Sequence, residues 1–303
     1  MSAPQVTLRV AGPGGGGVLE LGRTPCLMGI VNASGESFSE PRLQPSLKRG
    51  IEQARRLVAE GAQIIDIGGE SASVRGRALE AAREIELVAP LVERVVEELG
   101  VLVSVDTYKV AVARAALDAG AAIINDVSGL REEAIAELCA ERGAGLVIMH
   151  TRAAPKQRLQ DRALYADVSR EVHDFLAGRM QRAGELGVRA EQILLDPGPD
   201  FAKTPHQTVE LLRGLAPLHG LGRPVLMAIS RKDFIGALTA RSPAARLSGT
   251  LAALAHGADA GAHVFRVHDV AAAADFLKVR GALRGELAVP VDLALPEALR
   301  YEE

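Results

Sequence analysis

Tryptophan is absent from this 303-residue chain, and six Phe and three Tyr bring the aromatics to only 3%. A core without large rings must be filled by small aliphatic side chains, which suits close-packed parallel strands covered by helices. Two cysteines, Cys26 and Cys139, are too few for a disulfide framework; both lie in apolar runs and read as buried thiols of a reducing compartment. An excess of one charge is missing as well. The 35 Lys and Arg stand against 38 Asp and Glu, and a net charge of −3 with the signs mixed gives no electrostatic case for nucleic acid or a membrane surface. No uncharged apolar run approaches membrane-spanning length, and the first ten residues lack a basic region followed by an apolar one, so no signal peptide is expected. A soluble, cytoplasmic protein is the expectation.

What is present is 48% hydrophobic sequence, ample for one large or two ordinary domains. Residues 6–10 and 18–21 flank a glycine-rich loop and read as a hairpin. Gly12, Gly14 and Gly17 fit the spacing of a dinucleotide-binding turn, but an extended segment comes next where a helix is required, so that pattern is rejected. From Pro25 a unit recurs: apolar strand, polar loop, amphipathic helix, Gly, next strand. The strands fall at 27–31, 64–68, 101–105, 122–125, 146–149, 193–195, 225–229 and 264–267. Helical stripes lie between them: Leu47, Ile51, Ala54 and Val58; Ile85, Val88, Val92, Val95 and Leu99; Val168, Val172 and Phe175; Leu247, Leu251, Leu254 and Ala258. Eight strands alternating with eight helices predict an α/β protein, a single closed (β/α)8 TIM barrel, over an open doubly wound sheet. The expected organisation is a hairpin at 1–24 closing the barrel base, a barrel at 25–287 and a tail at 288–303. Gly61, Gly100, Gly120, Gly143, Gly187, Gly220 and Gly261 sit where left-handed helix C-caps belong. Helix-to-strand turns are therefore short, and function belongs to the longer loops at the strand C-termini.

Those strand ends carry polar residues. In Arg266-Val267-His268, two cationic groups two apart share one face of an extended strand and need an anion; a capping ion pair with Asp269 or Asp259 is the plainer explanation in isolation. Asp66 lies near the end of the second strand on the same face as Gly68, with a structural hydrogen bond and a ligand contact equally open. Asp106 and Asn125 end adjacent strands at one height, while Thr107 and Asp126 can cap the next helices. Met149-His150 and Asp196 end the next two strands. Lys203-Thr204 faintly resembles a nucleotide P-loop but has the wrong spacing, and the seven histidines lack zinc-ligand spacing. Asp106, Asn125 and Asp196 form an acceptor set for a flat heterocycle bearing amino and ring N–H groups. Lys232, Arg266 and His268 form a cationic set for phosphate, suited to catalysis by leaving-group stabilisation.

With these residues in place, the chain resembles dihydropteroate synthase of the pterin-binding barrel superfamily. The matching segments, 28–39, 62–71, 104–107, 121–130, 149–150, 195–204, 230–236 and 266–270, occur in the family's order. Pterin-dependent methyltransferases share the barrel, whereas Ser230-Arg231-Lys232 and Arg266-Val267-His268-Asp269 are similar to the synthase branch. The resemblance implies loss of pyrophosphate from 6-hydroxymethyl-7,8-dihydropterin diphosphate and attack by the amine of p-aminobenzoate. It implies that Asp106, Asn125, Asp196 and Lys232 hold the pterin, with Met149 and Phe201 lining its pocket. Arg266 and His268 would hold the diphosphate, and Asn32 a Mg2+ upon it. Ser230, Arg231 and Phe38 would lie near p-aminobenzoate, and a homodimer would form through the last two helices. The loops after the first two strands depart from the family: Gly35 and Glu36 stand for Pro-Asp, and Ala72, Ser73 and Val74 for Thr-Arg-Pro, with Arg75 available as the missing cation. Asp200 and Ala202 replace two glycines. These changes leave open a paralogue that binds pterin diphosphate without coupling it, or a barrel acting on another amine or pterin.

Overall fold

The computed structural model describes residues 5–10, 17–22, 24–33, 43–70 and 78–300. Strands β1 (Val6–Val10) and β2 (Gly17–Leu21) pair antiparallel, with Val10 opposite Gly17. The repeating unit then begins with β3 (Cys26–Asn32), α1 (Leu43–Ala59), β4 (Ile64–Gly68), α2 (Ala81–Leu99), β5 (Leu102–Asp106) and α3 (Val110–Asp118). It continues with β6 (Ile123–Asp126), α4 (Ala134–Arg142), β7 (Gly145–Met149), α5 (Val168–Glu185), β8 (Ile193–Asp196) and α6 (Pro205–Arg213). It ends with β9 (Leu226–Met227), α7 (Asp233–Thr239), α8 (Leu247–Asp259), β10 (Val264–Val267) and α9 (Val270–Leu283). The eight strands from β3 to β10 are parallel, in the order β8-β7-β6-β5-β4-β3-β10-β9. A bridge between Leu195 and Val225 joins the two ends, so the barrel closes.

Two apolar layers result from the period-two alternation of the strands. Outward residues such as Ile65, Val103, Ile124, Leu146, Leu195 and Phe265 pack under the helices. Inward residues Met28, Ile64, Ile123, Val147, Leu194, Leu226 and Val264 form a second cluster with Leu8, Val10 and Leu21 of the hairpin. The hairpin's buried face thus caps the interior from the end opposite the strand C-termini.

Several expectations are corrected. The strand expected at 225–229 has a two-residue ladder, because the chain turns soon after it, with the Lys232 N–H bonded to the Ile229 carbonyl at 3.4 Å. Two helices, not one, separate β9 from β10. Six of the seven cap glycines have positive φ; at the seventh site the left-handed residue is Gly222, because a short 3-10 helix (Ala216–Leu221) runs past Gly220. On α2 the stripe is not purely apolar. Glu84 is buried one turn before Val88, while neighbouring Ile85 is half-buried. Burial of that carboxylate is offset by Lys109, whose Nζ lies 2.5 Å from it. Phe38 and Arg75 lie outside the described residues.

Candidate functional site

The inward face of the barrel changes from apolar to polar within two residues on strand after strand. Ile64 is followed by Asp66, Ile123 by Asn125, Leu194 by Asp196 and Val264 by Arg266, with Asp106 ending β5 at the same level. Parallel registers level these residues: Asp106 is the Cα partner of Asn125, and Met149 of Asp196. The floor is hydrocarbon and the cup above it is polar.

Arg266 occupies the middle of this cup. Its Nε donates to Asp66 Oδ2 at 2.6 Å and its Nη2 to Asp106 Oδ2 at 2.9 Å. The capping pair considered for Arg266 is therefore not formed. Asp269 instead takes a bidentate bond from Arg231 at 3.0 and 2.6 Å, and Asp259 pairs with Arg280 and Arg284. Against the pull of burial, Asp66 and Asp106 hold the guanidinium above its ordinary pKa. Burial raises the Asp106 carboxyl; Arg266 opposes that rise and neighbouring Asp66 adds to it, because two carboxylates share one cation.

Asn125 completes the ring of acceptors. Its amide nitrogen reaches toward both Asp66 oxygens at 3.4 Å, while its buried carbonyl oxygen has no hydrogen-bond partner. Asp196 takes the Gly198 N–H at 2.7 Å, and burial raises its carboxyl. The Lys232 Nζ stands 4.2 Å from the centre of the Phe201 ring. Burial lowers the Lys232 pKa; Asp200 and Asp196 counter it. The acceptor set and two members of the cationic set thus converge, with Arg266 donating to the acceptor Asp106.

His268 lies at the rim, its backbone N–H and Nδ1 at 3.2 and 2.9 Å from Ser230 Oγ. Desolvation of its inner edge, with Arg231 and Arg266 nearby, pushes it down to about 4. It is therefore an uncharged donor in the free protein, not the cation its sequence position implies. Arg231 adopts φ +59°, with its N–H bonded to Thr250 Oγ1 at 3.0 Å and its guanidinium committed to Asp269. Asn32 ends β3 exposed at the mouth, and Met149 is buried beside Asp196.

The residues that hold these groups are mostly ones that spacing does not single out. Lys203, fully buried, reaches His150 Nδ1 at 2.8 Å and donates to the Gly198 and Phe201 carbonyls at 2.9 and 3.0 Å. Burial and then Lys203 push His150 down to about 2, so the imidazole is neutral. Gly198 has φ +65°, and a Cβ there would meet the His150 carbonyl at 2.1 Å. Arg246 donates to the Arg231 and Lys232 carbonyls at 2.8 and 3.2 Å, with its guanidinium lying where a Cβ on Gly236 would be. Lys109 ties Glu70, Glu84 and the Leu79 carbonyl together beside the second loop. Asp126 takes the Ser128 and Leu130 N–H groups, so it fixes a turn rather than capping α4. Sequence position marks Asp126 as a cap candidate, His150 as a strand end and Lys203 as a failed P-loop match, but gives none of them its bracing role.

A separate cleft of about 370 Å³ lies among Tyr108, Lys109, Ser128, Arg131 and Pro155. Its cations are already engaged, Lys109 by carboxylates and Arg131 by the Arg152 and Ala153 carbonyls. Uncommitted acceptors lie in the barrel mouth instead. Among the described residues no three His, Cys, Asp or Glu are grouped to hold a metal, and no helix is long and apolar enough to cross a membrane.

Residues 28–268 match the family model described as pterin binding enzyme. Dihydropteroate synthase of Synechocystis is 39% identical over 273 residues, covering 89% of this chain and 94% of that protein. The Escherichia coli dihydropteroate synthase is 36% identical over 278 residues, covering 92% and 95%. Among solved structures, Xanthomonas albilineans dihydropteroate synthase with 4-aminobenzoic acid superposes with a TM-score of 0.84 at 39% identity, covering 94% of this chain and all of that one. The same enzyme in complex with 7,8-dihydropteroate gives 0.80 at 38% identity, covering 93% and 100%.

Proposed function

The chain belongs to the pterin-binding enzyme family, and from that premise we infer that it is a dihydropteroate synthase. It joins 6-hydroxymethyl-7,8-dihydropterin diphosphate to p-aminobenzoate, giving 7,8-dihydropteroate and pyrophosphate. The observation that carries the assignment of the site is the unpartnered carbonyl oxygen of Asn125. A buried amide oxygen without a donor costs roughly 1–3 kcal/mol. A ring N–H or amino group arriving between Asn125, Asp106 and Asp196 removes that cost. The hydrocarbon floor supports the ring's lower edge, and Met149 and Phe201 bound its faces.

The exocyclic C–O bond then breaks, with the electron pair leaving on the pyrophosphate. Charge grows on the departing oxygens, and Lys232, Arg266 and the His268 ring N–H stand at the mouth to meet it. The amine nitrogen of p-aminobenzoate forms the new C–N bond and loses its proton to solvent. Ser230 and Arg231 lie at the same rim, on the side from which that amine approaches. Asn32, exposed at the end of β3, would help to hold a Mg2+ carried by the diphosphate. When bound, the metal neutralises leaving-group charge. The working form is a homodimer whose contact includes the outer faces of α8 and α9.

Incubating the purified protein with both substrates and Mg2+ should yield 7,8-dihydropteroate, and Asn125→Ala should weaken pterin diphosphate binding by at least about tenfold. Binding of the diphosphate without product would establish the non-coupling paralogue, which relatives that are synthases along nearly the whole chain disfavour.

A further inference from the structure

The loop after β8 carries a carboxylate to which the synthase reaction gives no part. Asp200 stands at φ +66°, a left-handed conformation that costs a side-chain-bearing residue of order 1 kcal/mol and persists only where the surroundings enforce it. Its carboxylate crosses to a different loop. Oδ2 accepts the Asp233 N–H at 2.6 Å and the Phe234 N–H at 3.3 Å, the first two donors of α7. Those groups have no partner within their own helix, and Lys232, at the N-cap, supplies no side-chain bond to them. The carboxylate is itself oriented: Thr208 of α6 donates to Oδ1 at 3.1 Å and accepts the Asp200 N–H at 3.1 Å.

The residues adjoining these contacts are the ones that matter to the ring. Phe201 follows Asp200, Lys232 precedes Asp233, and the ammonium lies 4.2 Å from the aromatic centroid. A cation from the loop after β9 and a ring from the loop after β8 therefore meet across a joint that Asp200 spans. We propose that Asp200 is a positioning residue, setting Lys232 and Phe201 against each other so that both engage the bound pterin. The inference rests on the pterin-binding reading of the cup. Asp200 also acts through charge. Lys232 faces Asp196, Asp200 and Lys203 from the β8 side, Asp106 from β5, and Arg266 and His268 from β10. Burial favours its neutral form, and Asp200 is the first of the carboxylates opposing that.

The test is the dissociation constant of 6-hydroxymethylpterin diphosphate, titrated from pH 6.5 to 10 against wild type, Asp200→Gly, Asp200→Asn and Asp167→Ala. Asp167 caps α5 through the Arg170 N–H at 3.0 Å, and its loss removes a comparable amount of stability without touching the cup. Asp200→Gly is expected to weaken binding about tenfold, the size of one charge-assisted contact. Asp200→Asn should move the alkaline loss of binding, where Lys232 gives up its proton, to lower pH. Asp167→Ala should lower the melting temperature and leave binding alone. If the Asp200 variants lose stability like Asp167→Ala but keep the wild-type constant and pH profile, Asp200 is only a helix cap and the proposal fails. A wild-type protein that binds no pterin diphosphate would overturn the reading of the cup itself, a different result.

Discussion

Arg266 shows how much one side chain can be asked to hold. Asp66 is fully buried and Asp106 largely so, and both lean on the same guanidinium at 2.6 and 2.9 Å. Replacing it with Met leaves two carboxylates side by side over an apolar floor, and breaking a buried pair in this way costs about 3 kcal/mol. Arg266→Met should therefore lose roughly that much stability in urea unfolding at pH 8. The deficit should shrink at pH 5, because the Asp106 pKa is raised and a proton can take the place of the lost cation. An equal deficit at both pH values would mean the carboxylates do not need Arg266. Their places at strand ends made Arg266, Asp106 and Asn125 legible as members of one site, while the role of Asp66 stays open in the sequence between a structural hydrogen bond and a ligand contact. The pairing of Arg266 was not legible. Asp66 lies 200 positions from Arg266, and only closure of the barrel decides between it and nearby Asp269 as the partner.

At the level of elements, the loop after β8 is braced from beneath by a buried lysine and a neutral histidine. His150 keeps its proton off because burial and the Lys203 ammonium push it from 6.5 to about 2. The unfolded chain takes up that proton below about pH 6.5 and the folded chain does not, so stability falls as pH drops through this window, by about 1.4 kcal/mol per pH unit. Carboxyls with raised values, Asp106 and Asp196 among them, act in the opposite sense, so the comparison must be made against a variant. In His150→Asn an acceptor remains for Lys203 but nothing titrates. The stability gap between wild type and this variant should therefore move steadily in the variant's favour from pH 6.5 to 4, as read by urea midpoints. Parallel curves would mean that His150 is protonated in the fold. Both residues are noticeable in the chain, but neither shows that it braces this loop. A strand-end histidine and a lysine before a threonine read equally well as surface groups until the loop folds back through Gly198.

Over the whole molecule, the succession of strands, stripes and cap glycines was readable because each is a local pattern with a local cause. What periodicity missed was decided by packing at a distance: the two-residue ladder of β9, the second helix after it, and the Glu84 buried on α2 for the sake of Lys109. The outer wall carries the same lesson. Of the apolar residues on the last two helices, Leu254 and Ala273 turn inward to the core, whereas Leu247 stays partly exposed. The larger exposed groups are Leu238 on α7 and Val279 and Leu283 on α9, at 71%, 60% and 83% exposure. Val279 and Leu283 are one turn apart on one helix face, and Val289, Val291, Leu293 and Leu295 extend the apolar run beyond it. A monomer rarely leaves so much hydrocarbon in contact with water, and two copies sharing this wall at a standard interface would remove about 800 Å² from each. Light scattering at roughly 10 µM should therefore give twice the 31.9 kDa chain mass. The double substitution Val279→Glu and Leu283→Glu should give the single chain mass, since a carboxylate desolvated at a contact without a partner costs several kcal/mol. Neither residue belongs to the cup, so pterin diphosphate binding should survive in that variant. A wild-type protein that runs as a monomer at this concentration, or a double variant that still pairs, would place the contact elsewhere or remove it.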